Sequence, residues 1–137
     1  MHKIMCLDVG TRRIGVALSD YLHITVSGHS CIDRMPESIA TDTIKNIVNS
    51  NNVKVIVVGL PKNMDNSLGA QAQDCITFSE TLKNIIPDCD IILEDERLTS
   101  DLAEENLRER KADFRKNKGL VDIESACIIL EQYLSKI

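Results

Sequence analysis

The sequence predicts an α/β fold, a five-stranded mixed sheet with three antiparallel strands followed by two parallel ones and with helices on both faces. Three observations predict it. Two short apolar runs, residues 3–8 and 14–19, flank a polar knuckle holding Gly10, Arg12 and Arg13, which is the pattern of a β-hairpin. Val53-Lys54-Val55-Ile56-Val57-Val58 is an almost unbroken β-branched run, the mark of a strand buried on both faces. The whole chain alternates as β-β-β-α-β-α-β-α-α, a meander followed by crossover units. At 137 residues it is expected to form one domain, 1–137, around a single core.

Each element has its own signal. Strands are expected at 3–8 and 14–19, with a third at 24–30. Pro36 opens a helix, in the first-turn position that proline favours, and Ile39, Ala40, Thr43, Ile44, Ile47 and Val48 give that helix one apolar face. Asn49 to Asn52 end it, and Gly59-Leu60-Pro61 stops the strand at 53–58. A second helix is expected over about 67–85, with Leu68, Ala72, Cys75, Ile76, Ser79, Leu82 and Ile86 along one side and Pro87 as its breaker. Ile91-Ile92-Leu93 is a short strand running into Glu94-Asp95-Glu96-Arg97. Thr99 or Ser100 caps a third helix, whose first turn carries Asp101, Glu104 and Glu105 as the helix dipole favours. Residues 112–119, basic with one glycine, read as a loop before a last helix over about 120–135.

Composition narrows the function classes. No run approaches the length of a membrane span, and residues 1–8 are interrupted too soon by Asp8 to be a signal peptide. Five cysteines form no C-x-x-C pair, and the three histidines do not sit at ligand spacing from them, so reduced thiols in a cytoplasmic protein are expected rather than zinc. The net charge of −5 argues against a non-specific nucleic-acid coat. Cations nevertheless cluster between Arg108 and Lys118, and Arg12 and Arg13 add a second basic spot. With only two tyrosines and two phenylalanines there is no base-stacking platform, so any nucleic acid is held by its backbone.

The topology assembles a site. If strands one, four and five are parallel, their carboxyl ends lie at one edge, where open α/β sheets place ligands. That edge receives Asp8, Gly59-Leu60-Pro61 and Asp95-Glu96, and the start of the last helix offers Asp122. Alternation puts Ile4, Cys6 and Asp8 on one face, so a carboxylate ends an apolar row and something cationic is expected to answer it. Asp8, Asp95 or Glu96, and Asp122 together make three converging carboxylates, whose repulsion a hard cation would relieve. Oxygen ligands favour Mg²⁺ or Mn²⁺. Such a cluster is the working unit of two-metal phosphodiester hydrolysis.

Four stretches then make the reading specific: Leu7-Asp8-Val9-Gly10-Thr11-Arg12-Arg13-Ile14-Gly15-Val16-Ala17, Val58-Gly59-Leu60-Pro61, Asp95-Glu96-Arg97-Leu98-Thr99 and Lys118-Gly119-Leu120-Val121-Asp122. In this order and spacing they resemble the YqgF/RuvX family, Holliday junction resolvase-like proteins of the RNase H fold, over essentially the whole chain. The resemblance implies a cytoplasmic nuclease of the kind associated with 5′-end maturation of pre-16S ribosomal RNA, with Mg²⁺ or Mn²⁺ as cofactor. It carries the first catalytic and metal-binding carboxylate over to Asp8 and the last to Asp122. The middle one falls within Asp95-Glu96. Adjacent strand residues face opposite ways, so only one of the two can join, and Glu96 is favoured. Candidate substrate contacts are Gly10, Thr11, Arg12 and Arg13 in the hairpin and Arg97, Arg115, Lys116 and Lys118 beyond the fifth strand.

The chain departs from the family pattern twice. Asp65-Asn66-Ser67 replaces Asp-Gly-Ser, a change that asparagine's tolerance of a left-handed turn accommodates. Ser125, one turn after Asp122, stands where related junction resolvases have a second aspartate, which leaves the metal site one carboxylate weaker. Alternatives are a resolvase acting on branched DNA, as a homodimer with two sites related by a two-fold axis, and a non-catalytic RNA-binding ribosome-assembly factor. End-trimming of RNA could use a monomer. An ATPase of the actin and sugar-kinase type shares the Asp8-Val9-Gly10-Thr11 hairpin but needs a second such hairpin, which the sequence does not offer.

Overall fold

A computed structural model describes residues 1–63, 65, 67–96 and 118–137, with Lys118 described by its backbone alone. Five strands, β1 (Lys3–Val9), β2 (Arg13–Ser19), β3 (Val26–Asp33), β4 (Val53–Leu60) and β5 (Asp90–Asp95), form one sheet in the order β3-β2-β1-β4-β5. β1, β2 and β3 pair antiparallel, while β1–β4 and β4–β5 are parallel, as the hairpin and crossover patterns predict. Helices α1 (Glu37–Ser50) and α2 (Ala70–Ile85) follow β3 and β4, and α3 (Lys118–Leu134) ends the fold.

Period-two alternation divides the core between the two faces of the sheet. Met5, Leu7 and Val9 of β1 pack with Ile14, Val16, Ile56 and Val58 against Ala40 and Ile44 of α1 and Ala72, Phe78 and Leu82 of α2. Ile4, Cys6, Ala17 and Val57 turn the other way, onto Ala126, Ile129 and Leu130 of α3. Fully burying one such large side chain stabilises by about 1.5–3 kcal/mol. Because both faces are covered, β1 and β4 read in the sequence as nearly continuous apolar runs. All five cysteines are free thiols, three of them buried.

Several boundaries differ from the sequence reading, each for a local reason. β3 occupies Val26–Asp33 rather than 24–30, because the Asp20 carboxylate accepts the N–H groups of Ile24 (2.7 Å) and Thr25 (3.1 Å) and holds that stretch in a turn. Pro36 sits just before α1 with an extended ψ of 142°, capping the helix through its carbonyl rather than entering the first turn. The buried face of α1 is Ala40, Thr41, Ile44, Ile47 and Val48, and Ile39 is 61% exposed. Thr41 can be buried because its hydroxyl donates back to the carbonyls of Glu37 and Ser38.

β4 runs through Gly59 and Leu60, which pair with Glu94 and Asp95, so the glycine does not stop the strand. α2 starts at Ala70 rather than 67, and Leu68 lies outside it in an exposed bridge to Lys62. The Asp65 carboxylate accepts both the N–H (3.0 Å) and the hydroxyl (2.6 Å) of Ser67 and turns the chain there. Phe78 joins the expected buried stripe of α2. Asn66, Arg97, the helix expected from Thr99 or Ser100, and the basic segment with Arg115 and Lys116 lie outside the described residues.

Candidate active site

The parallel strands β1, β4 and β5 bring Asp8, Gly59-Leu60 and Asp95-Glu96 to the same edge of the sheet. Asp8 continues the face of Ile4 and Cys6, which is the face that α3 covers. Its carboxyl group is nearly buried, and it is answered by another acid rather than by a cation: Asp8 and Glu96 are hydrogen-bonded side chain to side chain. That bond requires a proton on one of the two.

Glu96 reaches this position by register and by a gap. Glu94, two residues earlier, is buried and ion-paired to Lys136 just past the end of α3, so the even positions of β5 face α3 and Glu96 continues that row. The Glu96 N–H donates to the carbonyl of Leu60 at 3.2 Å, fixing the chain as it leaves the strand. Gly59 supplies the space. A Cβ there would collide with the Glu96 carboxyl oxygen and stand 2.9 Å from Ile129 Cδ1. Only glycine lets a carboxylate lie across β4 at this point.

Asp122 is presented by the first turns of α3. The helix approaches β2 so closely that a Cβ on Gly15 would collide with the Asp122 backbone carbonyl. Gly28 plays the same part for β3, where a Cβ would press into Ile123. The Asp122 carboxylate accepts a hydrogen bond from Arg13 Nε at 2.7 Å, in a pair that keeps 32% of the Arg13 side chain and 21% of the Asp122 side chain exposed. The Cys31 thiol lies 4.0 Å from the same oxygen. Asp122 is near enough to Asp8 for its charge to be felt there. Among the described residues, however, no three His, Cys, Asp or Glu side chains stand close enough together to hold a metal ion. Asp8 and Glu96 are brought together, and Asp122 is held by Arg13.

The electrostatics follow from burial and like charge. Desolvation, then the charge of Asp122, push the Asp8 carboxyl up to about 6, against the hydrogen bond from Glu96. Desolvation, then the charge of Asp8 and the hydrogen bond to it, push Glu96 further, to about 9. At neutral pH the pair therefore holds one proton and one negative charge between its two carboxyls. Two carboxyls drawn together in a largely buried edge and sharing a proton are a donor set that a hard divalent cation fits, because it can replace that proton and neutralise both charges. No sulfur or imidazole ligand of the pair biases it toward zinc.

The hairpin turn beside this pair carries the candidate phosphate contacts. Thr11 and Arg12 are exposed, and Arg13 is half-buried in its pair with Asp122. Gly10 donates its N–H to the Arg13 carbonyl at 2.8 Å and closes the turn. Lys118 begins α3, on the same helix as Asp122. Sequence reasoning missed the residues that hold the turn from the other face. Arg34 is 8% exposed, donates to the Gly10 carbonyl at 3.0 Å, and forms a two-pronged pair with Asp74 at 2.8 and 2.9 Å. Its guanidinium also lies 4.8 Å from the centre of the Phe78 ring. Gln71 donates to the Val9 carbonyl at 2.9 Å. A lone arginine after a strand and an aspartate on a helix carry no pattern that pairs them across 40 residues. Gly15 and Gly59 stand inside quoted motifs and Gly28 does not, and only the geometry shows what the three clear. Ser125 is buried, and its hydroxyl makes no hydrogen bond among the described residues.

Comparisons with known proteins agree with this architecture. A family model described as RuvX, Holliday junction resolvase, matches residues 2–136. A Staphylococcus haemolyticus protein named "Putative pre-16S rRNA nuclease" is 39% identical over 138 residues, spanning 99% of this chain and 97% of its own. The fowlpox virus Holliday junction resolvase superposes with a TM-score of 0.62 at 11% identity, over 98% of this chain and 99% of that one. Thermus RuvC, solved with a Holliday junction substrate ("T. thermophilus RuvC"), gives 0.57 at 7% identity, over 99% and 95%. At such identities these two structures speak for the fold, an RNase H-like resolvase fold, and for nothing finer.

Proposed function

The chain belongs to the RuvX family, and on that premise we propose that it is a metal-dependent nuclease that hydrolyses phosphodiester bonds, with the 5′ region of precursor 16S ribosomal RNA as its substrate. The observation that carries the chemistry is the Asp8–Glu96 pair, two acids hydrogen-bonded to each other at the largely buried carboxyl edge of the sheet. No helix among the described residues is long and apolar enough to cross a membrane. The proposal places the protein in the cytoplasm, as a monomer or homodimer.

In this reading Asp8 and Glu96 hold Mg²⁺ or Mn²⁺, and Asp122 completes the ligand set. The bound metal would supply an activated water and charge stabilisation at the leaving oxygen. The chain's residues do the rest. Gly59 and Gly15 let Glu96 and Asp122 approach, which fixes the donors within β1, directly after β5 and in the first turns of α3. Arg12 and Arg13, with Arg97, Arg115, Lys116 and Lys118, hold the phosphates on either side of the cleaved bond through charge and the donors of the guanidinium fork. None of these contacts reads a base, so selectivity rests on backbone shape.

The test offers Mg²⁺ with two substrates, a precursor 16S ribosomal RNA fragment and a four-way DNA junction, to the wild type and to Asp8→Asn. Cleavage of the RNA by wild type and its loss in Asp8→Asn is the expected result. Cleavage of the junction alone would move the substrate to branched DNA. If RNA is bound equally by both proteins and neither substrate is cut, the chain is a non-catalytic RNA-binding factor and the nuclease reading fails.

A further inference from the structure

We propose that Arg13 is an exchange residue that holds Asp122 away from the metal ligand set until substrate arrives, and that it couples cation binding to nucleic-acid binding by passing from the Asp122 carboxylate to a substrate phosphate. This rests on the cation-binding reading of Asp8 and Glu96 and adds a role for the third carboxylate. The observation behind it is the mismatch within the candidate site. Asp8 and Glu96 are already together, whereas Asp122 Oδ2 is taken by Arg13 Nε at 2.7 Å, and no three ligating side chains converge among the described residues.

The surroundings make this arrangement selectable rather than incidental. Asp122 cannot withdraw from the site, because Gly15 and Gly28 let the first turns of α3 rest directly on β2 and β3. Its backbone is therefore fixed and only its side chain can change partner. Arg13 lies at the base of the exposed hairpin turn, beside Arg12, whose side chain is exposed and makes no ion pair with another described residue. A guanidinium released there is already among the candidate phosphate contacts. Its fork suits carboxylate and phosphate equally well, so either can take it.

The pair must open once for the Asp122 carboxylate to join the ligand set and once for Arg13 to grip a phosphate. One opening serves both events, so each ligand lowers the cost of the other, and by linkage the effect is reciprocal. The pair is partly exposed, and such pairs are weak. The coupling is accordingly placed at about fivefold, the low end of the usual range.

The experiment measures Mn²⁺ affinity in solution, by electron paramagnetic resonance of the free ion, with no turnover involved. Wild type, Arg13→Gln, Asp122→Asn and the double variant form a cycle, and each is first shown to unfold cooperatively. Arg13→Gln is expected to bind Mn²⁺ about fivefold more tightly than wild type. In the Asp122→Asn background the same substitution is expected to change little. A nuclease-resistant phosphorothioate RNA oligonucleotide should tighten Mn²⁺ binding by wild type and leave Arg13→Gln unmoved.

Tightening of equal size in both backgrounds would trace the effect to charge acting through space and overturn the exchange. Equal Mn²⁺ affinity in wild type and Arg13→Gln would also overturn it, while loss of binding in Glu96→Gln would show that the underlying cation site stands. Absence of Mn²⁺ binding by wild type would overturn both readings together.

Discussion

Two groups of charged side chains sit at the same edge of the sheet, on opposite faces, and they are built in opposite ways. On the α2 side, Arg34 meets Asp74 in a two-pronged pair, donates to Gly10 and lies against Phe78. On the α3 side, Asp8 meets Glu96, and both are acids. The first group is settled by the protein's own charges, so the Asp74 carboxyl is held below its ordinary value by Arg34. The second is unsettled, and both of its carboxyls are pushed up. A fold keeps such an unsettled pair, at a cost in stability, where a ligand relieves it. The Arg34–Asp74 pair holds the hairpin turn from one face, and the Asp8–Glu96 pair lies on the other.

The largest effect expected from breaking this contrast is on activity. Glu96→Gln removes the charge that a cation needs. Altering groups that merely support metal ligands already costs roughly 10–100-fold, so a direct ligand should cost more than about 100-fold in cleavage rate. Asp95→Asn, on the opposite face of β5, should cost far less. Gly59→Ala should resemble Glu96→Gln, because its methyl group takes the place of the carboxylate, whereas Gly69→Ala meets nothing nearer than 3.6 Å and should be neutral. Rates measured on one substrate for all four variants check the ranking. Equal losses in Asp95→Asn and Glu96→Gln would shift the register by one residue.

The next effect is on stability and belongs to the other group. Arg34→Met leaves the Gly10 carbonyl and Asp74 without their donor. Loss of a buried pair alone can cost several kcal/mol, but Asp74 is 37% exposed and water recovers part of it. About 2 kcal/mol is therefore expected, read as a lower midpoint in urea unfolding. Asp74→Asn should cost less, since Arg34 keeps its bond to Gly10.

How much of this was legible in the sequence follows from what carries a pattern. The strands were legible because apolar alternation and β-branching are local, and the parallel order followed from the crossovers. Asp8 was legible because it interrupts an apolar row. Glu96 was favoured over Asp95 from strand alternation, but its direct hydrogen bond to Asp8 was not legible, since charge pairing predicts a cation there and the gap at Gly59 that admits the carboxyl is a matter of packing. The pairing of Arg13 with Asp122 spans 109 residues and is set by the seating of α3 on Gly15. On α1 the expected face included Ile39 and Thr43, which are not among its buried residues, and omitted Thr41, which is buried because its hydroxyl bonds back to its own helix.

The pH dependence of stability sharpens the same contrast, with a smaller effect. Asp8 and Glu96 bind a proton more tightly in the folded chain than in the unfolded one, where such groups titrate near pH 4 (about 3.9 and 4.3). Their contribution to folding is therefore fully present below about pH 4 and is lost as pH rises through about 6 for Asp8 and about 9 for Glu96. Asp74 has the opposite sign, because its folded value is lowered. Its contribution is present above the ordinary carboxylate range and lost as pH falls through the folded value. Metal-free wild type should thus lose melting temperature relative to Glu96→Gln between pH 5 and about pH 9. Adding Mg²⁺ should restore more at the alkaline end, and a constant difference across the range would remove the shared proton from the account.

The smallest effect concerns the Arg12 side chain on the exposed turn, which belongs to neither group. Arg12 is solvated and makes no ion pair with another described residue, so Arg12→Ala should leave the unfolding midpoint unchanged. As a phosphate contact it would release about one counterion on binding, which makes the slope of log affinity against log salt shallower by slightly under one unit when it is lost. The weakening should be similar for unrelated sequences, because the contact reads charge and not bases. Binding of two oligonucleotides of different sequence, titrated at several salt concentrations, separates the possibilities. An unchanged slope would mean that Arg12 is an ordinary surface residue and that the phosphate path lies elsewhere. A slope change confined to one sequence would mean that the turn touches bases after all.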